Sequence, residues 1–311
     1  MQESKHGASV NFDEKETISI LNDAVKKSKE IFNRVFDFLK EGNIIISYSG
    51  YGVIPATIFF NYLRVLTQEA RFELVPSTEL YLNVIPYRES TFKIFYIMAS
   101  LKERNQFARL ASSSSVMLVP SLFLIPYIDD PVISRWINEE NSIEIDAREN
   151  QILYSSILAS LLGIEVAKEL TNRSDMRISN AKRDLESLSE GFSFISERYA
   201  EYLESIKELE SSGESCDVIY TPSLEPGAIY LMYILQEKGI ACRLLRGDIA
   251  IGMQDIQRRN ILLSTTVEED IAKEIMFRFK LNSNEKSIKI VFNTDPLLAQ
   301  LYSVILFSFL I

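Results

Sequence analysis

Short apolar runs alternate along this chain with longer segments whose apolar residues recur at steps of three and four. Residues 43–47 (NIIIS), 72–76 (FELVP), 92–99 (FKIFYIMA) and 116–119 (VMLV) have the length and branched or aromatic content of strands buried on both faces. Pro55 opens a helix between the first two, as proline does at a first helical position. Helices are predicted at 105–112 and 150–170. The second half repeats the alternation, with strands at 217–221, 241–245, 260–264 and 287–292 and helices at 226–238 and 267–279. Asp295 and Pro296 cap and begin a last helix. Such alternation predicts parallel sheets covered on both sides.

Each half is preceded by an amphipathic stretch. Residues 12–40 place Ile20, Ala24, Ile31, Val35, Phe38 and Leu39 on one stripe, and residues 177–210 do the same with Leu185, Leu188, Phe192, Ile195, Tyr199 and Tyr202. The halves also resemble one another. Residues 153–162 read LYSSILASLL and residues 301–310 read LYSVILFSFL, identical at seven of ten positions. Residues 55–74 align without gaps on 226–245, matching Pro55 with Pro226, Ile58 with Ile229, Tyr62 with Tyr233, Ala70 with Ala241 and Leu74 with Leu245. Two matched pairs in the same order predict a duplicated unit. The expected organisation is a leader at 1–42, a first α/β domain at 43–172, connecting helices at 173–213 and a second α/β domain at 214–311.

Composition narrows the chemistry. The chain has 311 residues, 47% hydrophobic and 24% charged, which suits two globular domains. A formal charge of −10 argues against nucleic acid as a partner, because polyanion binding needs basic surface. Two cysteines, Cys216 and Cys242, give no disulfide framework and no metal-ligand spacing. The single histidine, His6, leaves zinc without its usual ligands and removes most histidine-based acid/base schemes, so no cofactor or metal is expected. The polar residues 1–10 lack the apolar core of a secretory signal. The apolar stretch 297–311 is too short to span a bilayer, so no membrane association and a cytoplasmic setting are expected.

In open parallel sheets, ligands bind where strand carboxyl ends feed helix N-termini. Four loops hold the candidates. The first, 47–52, offers Ser49, Tyr51 and Gly52; an ordinary glycine-rich turn is its structural alternative. The second offers Ser77 and Thr78. The third, 99–104, offers Ser100, Lys102 and Arg104, which read equally as a solvated cap with surface charges. The fourth brings Arg148 before the long helix, with the same two readings. Loops one to three leave neighbouring strands, so their tips are expected to share one anion-binding cleft.

At these residues the chain resembles the sugar-isomerase-domain (SIS) family, in the tandem arrangement of the isomerase half of glucosamine-6-phosphate synthases. That family shows G-x-G-[ST]-S after strand one, A-S-E-[FL] after strand two and S-x-S-G-x-T after strand three. This chain has Gly50-Tyr-Gly52, Ser77-Thr-Glu-Leu80 and, at the third place, residues 99–104. Glu237 sits where the family's catalytic glutamate ends its helix, and Gly247-Asp248-Ile249 resembles the G-E-L that follows. The resemblance implies flavodoxin-like doubly wound units, a small phosphorylated sugar as partner and a homodimer. The departures are equally specific. Only Ser100 of the phosphate loop is kept, with Lys102 and Glu103 at the second serine and the glycine. The ring-opening histidine expected near Ile251 is absent, as is the lysine of the family's C-terminal tail.

Three readings follow: a sugar-phosphate-binding protein with a degenerate catalytic set, an active sugar-phosphate isomerase or deaminase with Glu237 as base, and a ligand-free structural or regulatory dimer.

Overall fold

A computed structural model describes residues 14–87, 91–146, 149–171, 176–253, 259–282 and 287–311. After the leader helix α1 (Glu14–Leu39), the first unit runs β1 (Ile44–Tyr48), α2 (Val53–Thr67), β2 (Phe72–Pro76), α3 (Ser77–Glu79), β3 (Lys93–Ile97), α4 (Arg104–Val116), β4 (Ser121–Pro126), β5 (Ser142–Ile145) and α5 (Gln151–Thr171). Three helices follow: α6 (Met176–Glu186), α7 (Leu188–Arg198) and α8 (Ala200–Ser212). The second unit is β6 (Cys216–Tyr220), α9 (Glu225–Glu237), β7 (Cys242–Arg246), α10 (Gly247–Gly252), β8 (Arg259–Thr265), α11 (Glu269–Asn282), β9 (Ser287–Phe292) and α12 (Pro296–Ser308).

Two sheets form, in the orders β2-β1-β3-β4-β5 and β7-β6-β8-β9, and every pairing is parallel. The first four strands of each sheet therefore share one order, and the architecture is α/β with two doubly wound parallel sheets. The gapless match of 55–74 on 226–245 places Gln68 opposite Gly239. Both adopt the left-handed conformation, at φ 58° and 81°, just past the ends of α2 and α9. Asp295 accepts the Leu297 N–H at 2.8 Å and caps α12, with Pro296 following it.

The largest apolar core is shared by the units. It joins α1 and α5–α7 to α2, α9 and α12, with residues such as Phe59, Leu158, Leu231 and Leu306 at 0% exposure. Asn61 on α2 donates to the Gln300 side chain on α12 at 2.9 Å across that junction. A second cluster covers the opposite face of the first sheet through Tyr96, Phe107 and Phe123, and a third covers the second sheet through Ile219, Leu262 and Ile275.

One sequence expectation is corrected and one strand is added. Residues 116–119 are not a strand: α4 continues through Val116, Leu118 turns at φ 52°, and Val116 and Leu118 are exposed. The fourth strand is the next run, SLFLIP, whose residues are buried from Leu122 to Pro126. A fifth strand, Ser142–Ile145, adds to the edge; at four residues it is too short to stand out by pattern. Within α5, Tyr154, Ile157 and Leu158 are buried, whereas Leu161 is partly exposed in a groove lined by α1, α5 and α6. No helix among the described residues is long and apolar enough to cross a membrane.

Candidate functional site

The carboxyl ends of β1 and β3 are tied together by a glutamate. Past β1, Ser49 is extended, Gly50 sits at φ 46°, and a single 3-10 turn, Gly50–Gly52, leads into α2. Past β3, Ser100 accepts the Lys102 N–H at 3.2 Å and starts the turn Leu101–Glu103 before α4. That turn points the Glu103 side chain back to the first loop, where its carboxylate accepts the Gly52 N–H at 3.0 Å. A Cβ on Gly50 would stand 2.9 Å from the Glu103 Oε1, and one on Gly52 would stand 2.7 Å from the Ile97 carbonyl oxygen. The two glycines therefore admit the carboxylate and the neighbouring strand end. Glu103 is 5% exposed. Burial raises its carboxyl from 4.5 to about 8, against the opposing pull of the Gly52, Ala99, Tyr51 and Ser100 backbone N–H groups. Its Oε2 has no partner of hydrogen-bonding geometry.

The second unit repeats the device. Glu268 ends the turn Thr266–Glu268 after β8, as Glu103 ends the turn after β3. Its carboxylate accepts from the Thr221 hydroxyl at 2.6 Å, the Ser223 N–H at 3.1 Å, the Ser223 hydroxyl at 3.0 Å and the Thr265 hydroxyl at 2.8 Å. In both units an internal carboxylate occupies donors at the first-strand loop.

Ser49 and Ser77 come together, with hydroxyl oxygens 2.7 Å apart, and Tyr96 donates to Ser49 at 2.9 Å. Both serines are buried, so this chain of hydroxyls knits the loops from within. Thr78 and Arg104 are exposed. Arg148 lies outside the described residues.

Lys102 and Ser100 instead face a cavity of about 310 Å³ between the units, with Tyr51 from the first loop, Asn150 and Gln151 at the start of α5, and Tyr233 on α9. The Tyr51 and Tyr233 rings lie 4.0 Å apart, centroid to centroid. Tyr230, which also lines the cavity, donates to the Asn150 side chain at 3.1 Å. Beside this cavity Lys102 reaches across to Glu237, Nζ to Oε1 3.2 Å, with both side chains more than half exposed. The hydrogen bond to Glu237 and its charge, with Tyr233 adding to the effect, raise the Lys102 ammonium. Burial raises the Tyr51 hydroxyl, and Tyr233 and Glu237 push it further.

The chemistry available is thus one ammonium, hydroxyl and amide donors, aromatic walls and two carboxylates, Glu149 in the lining and Glu237 paired with Lys102. Sequence reasoning named Ser100, Lys102, Tyr51 and Glu237 and missed Glu149, Asn150, Gln151, Tyr230 and Tyr233. Their signal was faint, because they lie at helix starts and inside an apolar helix. Among the described residues no cluster suited to a metal ion occurs.

No family model and no curated protein matches this sequence. Among solved structures, the chain is similar to the C-terminal domain of glucosamine-fructose-6-phosphate aminotransferase from Francisella tularensis. The TM-score is 0.67 at 11% identity, over 97% of each chain. It is also similar to tagatose-6-phosphate ketose/aldose isomerase from Escherichia coli, with TM-score 0.60 at 12% identity, over 98% of this chain and 95% of that one. The chain has the two-unit fold of sugar-isomerase-domain proteins.

Proposed function

We propose that the chain binds a small phosphorylated sugar in the cavity between its units. The supporting observation is the meeting of Lys102, Ser100 and the start of the 21-residue helix α5 at one aromatic-walled space of about 310 Å³. A helix start presents backbone N–H groups and a dipole that favours an anion, and Lys102 adds a positive charge. The rings of Tyr51, Tyr230 and Tyr233 suit the apolar face of a sugar. Ser49, Gly52 and Ser77 enter this reading as the scaffold that shapes the mouth, while Thr78 and Arg104 stay as outlying candidates and Arg148, outside the described residues, stays a candidate from the sequence alone. The internal resemblance and the shared strand order support a duplicated unit, divided as 43–172 and 214–311.

The catalytic set reads as degenerate. Ring opening and proton transfer between adjacent carbons need an acid and a base. Glu237 is the one carboxylate brought to Lys102, and the ion pair occupies it. A second reading, isomerisation with Glu237 as base, is favoured by the position of that same carboxylate beside the cavity. Pairing of two copies is carried with the proposal from the family resemblance, and a cytoplasmic setting from the sequence.

Titration of the full chain with fructose 6-phosphate and glucosamine 6-phosphate, read by calorimetry and thermal shift, tests the site. Saturating ligand at about a hundred times its Kd adds roughly 2.7 kcal/mol of stability. Lys102→Ala and Ser100→Ala should weaken binding, and Arg104→Ala should weaken it less. No binding at millimolar ligand, or binding indifferent to Lys102 and Ser100, refutes the site. Binding without interconversion of the sugar phosphates supports the binding-protein reading, and turnover lost in Glu237→Gln supports the isomerase.

A further inference from the structure

Cys216 and Cys242 open the two adjacent parallel strands β6 and β7 and are in-register Cα partners. Their sulfur atoms stand 3.3 Å apart. Neighbouring strands lie about 4.8 Å apart, inside the roughly 4.4–6.8 Å window of Cα separations that a disulfide spans. Closing the bond, about 2.05 Å long, needs only side-chain rotation and a small approach of the strands. The two thiols differ in access. Cys216 is wholly buried, whereas Cys242 is partly exposed on β7, the edge strand of its sheet. They also differ in acidity: the hydrogen bond between them lowers the Cys242 thiol and raises that of Cys216, and burial raises Cys216 further. Asp217, held by Arg243 at 2.7 Å, is the charged neighbour; its carboxylate opposes ionisation of both thiols.

We propose that Cys216 and Cys242 form a reversible thiol–disulfide pair that takes a small-molecule disulfide of the glutathione type as its oxidant. The Cys242 thiolate attacks one sulfur of that disulfide, the S–S bond breaks, and the first small thiolate leaves and takes up the proton lost by Cys242. The Cys216 sulfur then attacks the Cys242 sulfur, displacing the second small thiolate, which takes the Cys216 proton. Two protein thiols are oxidised to one disulfide and one small disulfide is reduced to two thiols. The bond fastens β7, whose far end feeds Gly247 and α10, to β6, whose far end feeds the Thr221 loop.

The test treats the full-length native protein with glutathione disulfide and then reads free thiols after denaturation and the intact mass. The wild type should lose both thiols and retain no glutathione, and its Tm should rise and return on reduction. Cys216→Ser should stop at one glutathione bound on Cys242, and Cys242→Ser should stay unreacted because the remaining thiol is buried. Retention of both thiols in the wild type overturns the proposal. So does a wild-type product that keeps its glutathione, or a Cys242→Ser protein that reacts at the wild-type rate. The wild-type measurement decides even if a variant fails to fold.

Discussion

The Glu103 carboxylate makes a quantitative prediction about pH. Buried at 5% exposure, its folded value lies at about 8 against an ordinary 4.5. An acid raised on folding binds its proton more tightly in the native state, so the native chain holds more protons than the unfolded one between those values. Stability from this group is therefore complete below about pH 4.5, declines as pH rises through the window, and is lost above about pH 8. At about 1.4 kcal/mol for each tenfold change, the whole window corresponds to roughly 5 kcal/mol as an upper bound. Glu103→Gln keeps an oxygen for the Gly52 N–H and cannot ionise. Urea unfolding followed between about pH 4 and pH 9 should then show a falling wild-type curve and a flatter variant curve. The variant should match the wild type within about 1 kcal/mol at the acid end and exceed it by a few kcal/mol at the alkaline end.

Glu103→Ala removes the acceptor as well and should lose about 2–4 kcal/mol near pH 6 through a stranded N–H and a cavity. Parallel curves for wild type and Glu103→Gln would refute the argument. They would mean that water reaches the carboxylate or that the first loop opens without it.

Close helix contacts give a second test. A Cβ on Gly227 would stand 2.0 Å from the Ser303 hydroxyl oxygen and 2.4 Å from its Cβ, so Gly227→Ala should cost about 1–3 kcal/mol, partly restored by Ser303→Gly, in thermal unfolding. Leu158→Ala should cost about 2–5 kcal/mol because the side chain is fully buried, whereas Leu161→Ala, on the groove, should cost less than half of that. Asp295 is desolvated, which alone would raise its carboxyl, yet Arg177 at 2.8 Å and the Leu297 N–H hold it below its ordinary value. That stabilisation is present above the unfolded value and lost as pH falls through the folded one. Asp295→Ala should therefore lose about 1–2 kcal/mol near neutrality and converge with the wild type in acid, checked by urea melts.

The parallel strands were legible because burial on both faces leaves near-continuous apolar runs such as Ile44–Tyr48 and Cys216–Tyr220. The helix at Pro226 and the cap at Asp295 were legible because each rests on local backbone chemistry, whereas α2 begins at Val53 and places Pro55 third and not first. Residues 116–119 misled for a related reason. An apolar run at an exposed helix end carries the same letters as a buried strand, and only the tertiary fold separates them. The site was harder still. Ser49, Ser77 and Ser100 share a residue type, yet the fold buries the first two against Tyr96 and leaves the third at the cavity. Side-chain direction, which decides between structural and ligand hydroxyls, is not written in loop spacing.

Glu103 and Glu268 carry this point into the relation between the two halves. Neither lies in the segments whose letters match, and the flanking residues Leu101-Lys102 and Thr266-Val267 share nothing. Both nevertheless end a single 3-10 turn after the third strand of their unit, and both send a carboxylate to an N–H of the first-strand loop. Such a tie is demanding, because the receiving loop must leave room: Gly50 and Gly52 do so in one unit, and the Thr221 and Ser223 hydroxyls turn inward to donate in the other. The shared geometry therefore adds support to the proposed duplication of one unit. The internal carboxylates also explain why the first-strand loops can diverge from phosphate-binding patterns without collapsing. Their Gly52 and Ser223 amides are satisfied from within, and in the proposed binding mode an incoming anion would be left to Lys102, Ser100 and the start of α5.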